Sequence, residues 1–152
     1  DAQRLPSPAG LVAVVVHPDL RLDTRTSRAV LPQQVPLAVF VDQSARLGRF
    51  VAACFTGDVA AVAASMRDVV VEPARAPLVP GLREVQAAAR GAGAVACSIS
   101  GGGPSVFAWC PRDVGDAVAA AMVRAFDGAG LRSQAVVSPL DAPGARVTRV
   151  DP

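Results

Sequence analysis

At 152 residues, 51% of them hydrophobic, the chain is about one domain long and can bury one core, which excludes a disordered segment. Its net charge of +2 comes from fifteen arginines against thirteen acids, with no lysine; the arginines are dispersed and tyrosine is absent, which argues against a nucleic-acid binder. The longest apolar run, Leu11 to Val16, is too short to cross a bilayer, and no apolar leader follows Asp1-Ala2-Gln3-Arg4, so a cytoplasmic protein without a signal peptide is expected.

Residues 1–10, with Arg4-Leu5-Pro6-Ser7-Pro8, read as a stiff linker at a domain boundary, and residues 11–152 as one domain. Leu11 to Val16 is a largely β-branched run of strand length, closed by His17-Pro18-Asp19, which predicts a central buried strand. Thr24 is placed to cap a short helix through Arg28 and Val30, ended by Leu31-Pro32. From Gln43, the residues Leu47, Phe50, Val51, Cys54 and Phe55 recur at the spacing of one buried helical face, which Thr56-Gly57 stops. Asp58 caps a second helix with Val59, Val62, Ala63, Met66 and Val70 inward, closed by Glu72-Pro73. Pro73, Pro77 and Pro80 make a rigid, exposed bend before a third helix, Gly81 to Arg90, with Leu82, Val85 and Ala89 inward and Gly91 as its C-cap.

The apolar runs Ala94 to Ile99 and Val106 to Trp109 flank Gly101-Gly102-Gly103, a pattern of strand, tight turn and strand. A helix with a broad apolar face from Val114 to Phe126 follows, ended by Gly128 and Gly130. Leu131 to Val137 and Ala145 to Val150 read as the last two strands, the second at an edge. With the helical pair at 43 to 72 set aside, the order is β, α, β, β, α, β plus a terminal strand. That is an α+β fold, the ferredoxin-like split βαβ antiparallel sheet with helices on one face, here carrying an inserted helical pair.

Glycines can take φ > 0 and expose backbone N–H groups, so the turn can form a nest for an anion such as phosphate, with Ser98, Ser100 and Ser105 at hand to hydrogen-bond it. The same residues are also ordinary hairpin chemistry. The loop is not a Walker A motif, which needs a lysine, nor a Rossmann fingerprint, because Val106 stands where a third glycine belongs and a strand follows. Arg28 and Arg75 each lie beside a change of chain direction and are candidate grips for a carboxylate or phosphate, or plain surface arginines. Asp68 and Glu72, four apart, can share a helix face, pair with Arg75 or form a carboxylate dyad; a solvated helix end is the simpler reading. Cys54, Cys97 and Cys110 are odd in number and set in apolar sequence, as free thiols are. None has metal-ligand spacing, and the sole histidine, His17, has no Cys or His neighbour, so neither a metal site nor a Cys/His nucleophile pair is expected.

These stretches resemble the homoserine kinases of the GHMP kinase superfamily, and within them the C-terminal domain. Ser98-Ile99-Ser100-Gly101-Gly102-Gly103-Pro104-Ser105-Val106-Phe107-Ala108 is similar to the superfamily's third motif, a Ser-Gly-x-Gly-Pro hairpin. Val15-Val16-His17-Pro18 followed by Thr24, Ser27-Arg28 and Leu31-Pro32 resembles its arginine-bearing segment. Asp68 to Arg75 with Leu78-Val79-Pro80-Gly81 resembles the family hallmark, and Gly144-Ala145-Arg146-Val147 its ending. The resemblance implies the GHMP kinase C-terminal fold and a transferase that phosphorylates L-homoserine from ATP, with magnesium, on the way to threonine. It implies that Arg28 and Arg75 hold the α-carboxylate of L-homoserine. It also implies that the hairpin, with Ser98, Ser100, Gly101, Gly102, Gly103 and Ser105, supports the nucleotide phosphate loop and borders the γ-phosphate. No catalytic or metal-binding residue is implied in this chain; the ATP loop and magnesium-binding acid belong to an N-terminal half that the sequence does not contain. The chain alone is therefore expected to be inactive, with that half, L-homoserine and ATP as partners, and a homodimer in keeping with the superfamily. Where some members carry histidines after the Leu-Pro segment, this chain has Gln43 and Arg46, so no imidazole acts there. Two further readings stand beside this one: the C-terminal half of another GHMP kinase acting on a different small alcohol, and a free-standing ferredoxin-like module that binds a metabolite or dimerises without catalysis.

Overall fold

A computed structural model describes residues 3–142 and Val147. Its centre is one antiparallel sheet of four strands in the order β2-β3-β1-β4, with β1 Leu11–Pro18, β2 Ala96–Ile99, β3 Val106–Pro111 and β4 Ser133–Pro139. The β-branched run of β1 takes a central place: Val14 lies opposite Ala108 of β3 on one side and Val137 of β4 on the other. The helices are α1 Thr24–Ala29, α2 Leu37–Thr56, α3 Val59–Ser65, α4 Val71–Arg75, α5 Leu82–Gly91 and α6 Gly115–Gly128. Strands β1 and β2 are joined across a gap that β3 fills, and β3 and β4 across a gap that β1 fills. That interleaving is the split βαβ arrangement read from the alternation of strands and helices.

The sheet's two faces differ in cover. Val12, Val14 and Val16 of β1, with Val106, Ala108 and Cys110 of β3, face α5 and α6, where Val85, Val118, Met122 and Phe126 are fully buried against them. Phe107 and Trp109 alternate to the opposite face. There Trp109 stands 5.9 Å from the ring of Phe50 on α2, and Leu5, Ala53, Cys54 and Val62 complete a second, smaller core. The inserted pair α2 and α3 thus packs on the face away from α5 and α6. No helix among the described residues is long and apolar enough to cross a membrane.

Several expected boundaries shift, each for a local reason. Asp23 rather than Thr24 caps α1, its carboxylate accepting from Thr26 N at 3.0 Å. Helix α2 begins at Leu37 behind Pro36 instead of at Gln43, and its buried residues are Ala53 and Cys54; Leu47 and Phe55, expected inside, are 62% and 59% exposed. Asp58 caps α3 as expected, accepting from Ala61 N at 2.9 Å, but α3 stops at Ser65 and does not run on to Val70. The expected exposed proline bend is instead α4 and a single 3-10 turn, Ala76–Leu78, leading into buried Val79. Pro73 is tolerated because the first turn of a helix needs no N–H from it. Helix α5 keeps its expected inner face, although Ala92 rather than Gly91 is its C-cap. The strand expected over 145–150 and the ending Gly144-Ala145-Arg146-Val147 fall outside the described residues, apart from exposed Val147.

Candidate functional site

The residues singled out in the sequence meet around α4, and the local chemistry explains why the chain breaks there. After α3, the Asp68 side chain accepts the N–H groups of both Val70 and Val71 at 2.8 Å, and Gln43 Oε1 of α2 accepts that of Val69 at 2.9 Å. Side-chain acceptors that take backbone N–H groups compete with a continuing helix. The chain turns and restarts as α4, which carries Glu72 and Arg75 almost one turn apart.

Arg75 is held by two backbone carbonyls. Its Nε donates to Ser27 O of α1 at 3.2 Å and its Nη1 to Gly101 O of the glycine turn at 2.9 Å. Ser27 is buried, and the next residue along α1 is Arg28, so α1, α4 and the turn converge on one place. A guanidinium has five N–H donors in a planar fork, so the Nη2 pair of Arg75 is free of these two bonds and suited to a carboxylate or phosphate. Arg28 is exposed in the last turn of α1, and its side chain makes no hydrogen bond or ion pair among the described residues.

Glu72 faces the other way along α4, onto β2. Its carboxylate accepts from Gln86 Nε2 of α5 at 2.9 Å, from Ile99 N at 3.2 Å and from the Ser98 hydroxyl. Strand β2 is a sheet edge, so the outward Ile99 N–H has no strand partner, and Glu72 supplies the acceptor. Neither Asp68 nor Glu72 forms an ion pair with Arg75 among the described residues. Each serves different backbone donors, and neither a dyad nor a free helix end describes them.

The turn itself is closed by Ser100 N to Ser105 O at 2.8 Å and Gly103 N to Ser100 O at 3.0 Å. Gly101 and Gly103 have φ of +57° and +78°, where side chains are disfavoured; Gly102 does not need its freedom. Among the described residues the N–H groups of exposed Gly101 and Gly102 donate to no protein acceptor, which fits an anion nest. The serines divide: Ser98 is committed to Glu72, Ser105 shares a 2.8 Å hydrogen bond with His17 Nδ1, and Ser100 contributes its backbone to the turn. Gln43 and Arg46, which stand in place of an imidazole, brace α2: Gln43 holds Val69, and Arg46 Nε lies 3.0 Å from Asp42.

On β2 itself, burial pushes the Cys97 thiol up to about 12; Arg90 opposes that rise and the Glu72 carboxylate adds to it. A groove of about 600 Å³ beside Glu72, lined by Arg67, Arg83, Gln86 and Arg90, includes neither arginine of the candidate site and none of the three glycines. Among the described residues no group of three or more His, Cys, Asp or Glu side chains is placed to hold a metal ion. The sequence offers Glu72 as a partner of Arg75, a dyad member with Asp68 or a solvated helix-end acid, and none of these is the bond to Ile99 N and the Ser98 hydroxyl that it makes. The available signal was its place three residues before Arg75, on the same short segment that must return to the glycine turn.

A split βαβ domain with a glycine turn between β2 and β3 defines a class already met in other proteins. Residues 50–128 match the family model described as GHMP kinases C terminal, and the chain belongs to that family. It is 48% identical over 92% of its length to a homoserine kinase of Xylella fastidiosa (strain 9a5c), and 46% identical over 89% to one of Xanthomonas campestris pv. campestris (strain B100). The crystal structure of a homoserine kinase from Cytophaga hutchinsonii superposes with a TM-score of 0.88 at 40% identity over 91% of the chain. The chain spans 44%, 42% and 44% of those three proteins, under half the length of each.

Proposed function

We propose that this chain is the C-terminal, substrate-binding half of an ATP-dependent homoserine kinase. The observation that carries the reading is the bridge made by Arg75, which joins Ser27, next to Arg28, to Gly101 of the turn. Such a bridge sets a carboxylate grip beside an anion nest, which is what a kinase of a small hydroxy amino acid requires. Arg28 and the free edge of Arg75 hold the α-carboxylate of L-homoserine. The amides of Gly101 and Gly102 border the γ-phosphate, with Ser98, Ser100, Gly103 and Ser105 keeping the turn in shape. In the reaction the side-chain hydroxyl oxygen of homoserine bonds to the γ-phosphorus as the bond to ADP breaks and the hydroxyl proton is lost, giving O-phospho-L-homoserine and ADP. Phosphoryl transfer depends mainly on positioning and on stabilising spread negative charge, which two guanidinium groups and a nest of amides can supply without a general base.

In this reading magnesium and most of the nucleotide are held by residues in the remaining part of the relatives' length, since the carboxylates at this site are committed to backbone donors. The whole enzyme then acts in the cytoplasm, in threonine synthesis. The chain by itself binds substrate at most weakly and does not turn over. The relatives' identity favours homoserine over another small alcohol as the substrate.

The test is ADP release with Mg-ATP and L-homoserine, by this chain alone and by the full-length protein. Turnover is expected only from the full-length protein. Arg28→Ala should raise the KM for L-homoserine about 10- to 100-fold, the usual loss for a charge-assisted contact, and leave the KM for ATP in place. Turnover by the chain alone, or full-length protein active on mevalonate but not on homoserine, would refute the proposal.

A further inference from the structure

The geometry points to Glu72 as the positioning residue of the glycine turn, forming with Arg75 a two-ended clamp built on one short helix. A hairpin whose tip must present bare amides to an anion cannot be held by its own side chains, because glycines have none. It has to be held at its base and by its carbonyls. Glu72 takes the base, accepting from Ile99 N and the Ser98 hydroxyl on the strand that enters the turn. Arg75 takes the tip through the carbonyl of Gly101, leaving the N–H groups of Gly101 and Gly102 outward. Gln86 of α5 fixes the Glu72 carboxylate from behind at 2.9 Å and also reaches Cys97 O at 3.5 Å, so the clamp is tied to the inner core. The anionic partner of Ile99 N lies at the free edge of β2, where no neighbouring strand can do the same work.

What Glu72 holds stands on the geometry; what the held turn does rests on the kinase reading above. The experiment separates the two. In this chain, amide exchange followed by NMR should show Ile99, Ser100 and Gly103 exchanging about tenfold faster or more in Glu72→Ala, the loss expected for a hydrogen bond to a charged group, with β1 and α6 unchanged. Glu72→Gln keeps one carbonyl oxygen for Ile99 and should restore part of that protection; it also serves if the alanine variant does not fold. Unchanged turn rates in a folded variant, or an equal rise across the whole sheet, overturn the clamp.

In the full-length protein, Glu72→Ala should lower kcat about 10- to 100-fold through a misplaced turn while the KM for L-homoserine stays within about twofold, the reverse of Arg28→Ala. A kcat that stays the same while the turn amides exchange faster overturns the positioning role. An unsubstituted full-length protein that is silent with L-homoserine counts against the kinase reading and leaves the exchange result to decide the clamp.

Discussion

Among the described residues, Cys97 has the thiol that burial raises furthest. Burial pushes its thiol up to about 12, with Glu72 adding to the rise and Arg90 opposing it, and burial also raises the thiols of Cys54 and Cys110, with Asp113 adding to the latter. An unfolded thiol releases its proton near 9.0, whereas folded Cys97 keeps it to about 12. In between, the folded state holds more protons than the unfolded state, so the stability is whole below the unfolded pKa and is lost as pH rises toward the folded one. The chain has no lysine and no tyrosine, so thiols are the side chains that titrate in this window. Urea denaturation at steps from neutral pH to about 11 should show a loss approaching about 1.4 kcal/mol per pH unit for each thiol that titrates. Cys97→Ala should flatten that slope, and an equal slope in the variant would refute the assignment.

Among the elements, α5 and α6 depend on a close approach at Gly81. Its φ is +80°, and a Cβ there would lie 2.6 Å from Ala129 Cβ. Gly81→Ala should therefore cost about 2–4 kcal/mol, from the left-handed backbone and the overlap together. Gly57→Ala, with φ of +70° and open space around it, should cost only about 1 kcal/mol. Adding Ala129→Gly to the Gly81→Ala chain should recover the steric part, and denaturation midpoints of the three variants decide it. These two helices and the sheet were legible in the sequence because one apolar stripe per helix meets a continuous sheet face, as with Leu82, Val85 and Ala89. Helix α2 was less so, because it carries two apolar stripes, Phe50 with Ala53 and Cys54, and Leu37 with Phe40, Val41, Leu47 and Phe55. Periodicity does not tell which of them meets Trp109. Over 66–71 the apolar pattern continues while side chains decide the backbone: Gln43 and Asp68 take the N–H groups of Val69, Val70 and Val71. The candidate site was legible in part for the same reason. Arg28, Arg75 and the glycines stand out by residue type and motif, but Glu72 acquires its place only when β2 becomes an edge.

Across the whole molecule the two faces of the sheet are unequally finished. On the inner face α5 and α6 cover β1 and β3 but leave Val137 of β4 38% exposed, while on the outer face α2 and α3 cover the Trp109 side and leave Val136 of β4 63% exposed. Helix α2 itself presents Leu37, Phe40, Val41, Leu47 and Phe55 at 76%, 60%, 55%, 62% and 59% exposure, spaced so that they form a stripe along its free side. Single exposed apolar residues are ordinary, but five large ones along one side of a helix, even interrupted by Ser44 and Gly48, leave apolar surface that water solvates poorly. The stripe makes little contact with the core, so removing it should leave stability nearly unchanged, within about 0.5 kcal/mol for each site. The chain with both Phe40→Ser and Leu47→Ser should therefore unfold at nearly the same urea concentration as the parent while binding markedly less of an apolar fluorescent dye in its native state. Dye binding that does not fall would place the apolar surface elsewhere, and a large drop in stability would mean that the stripe packs against the chain after all.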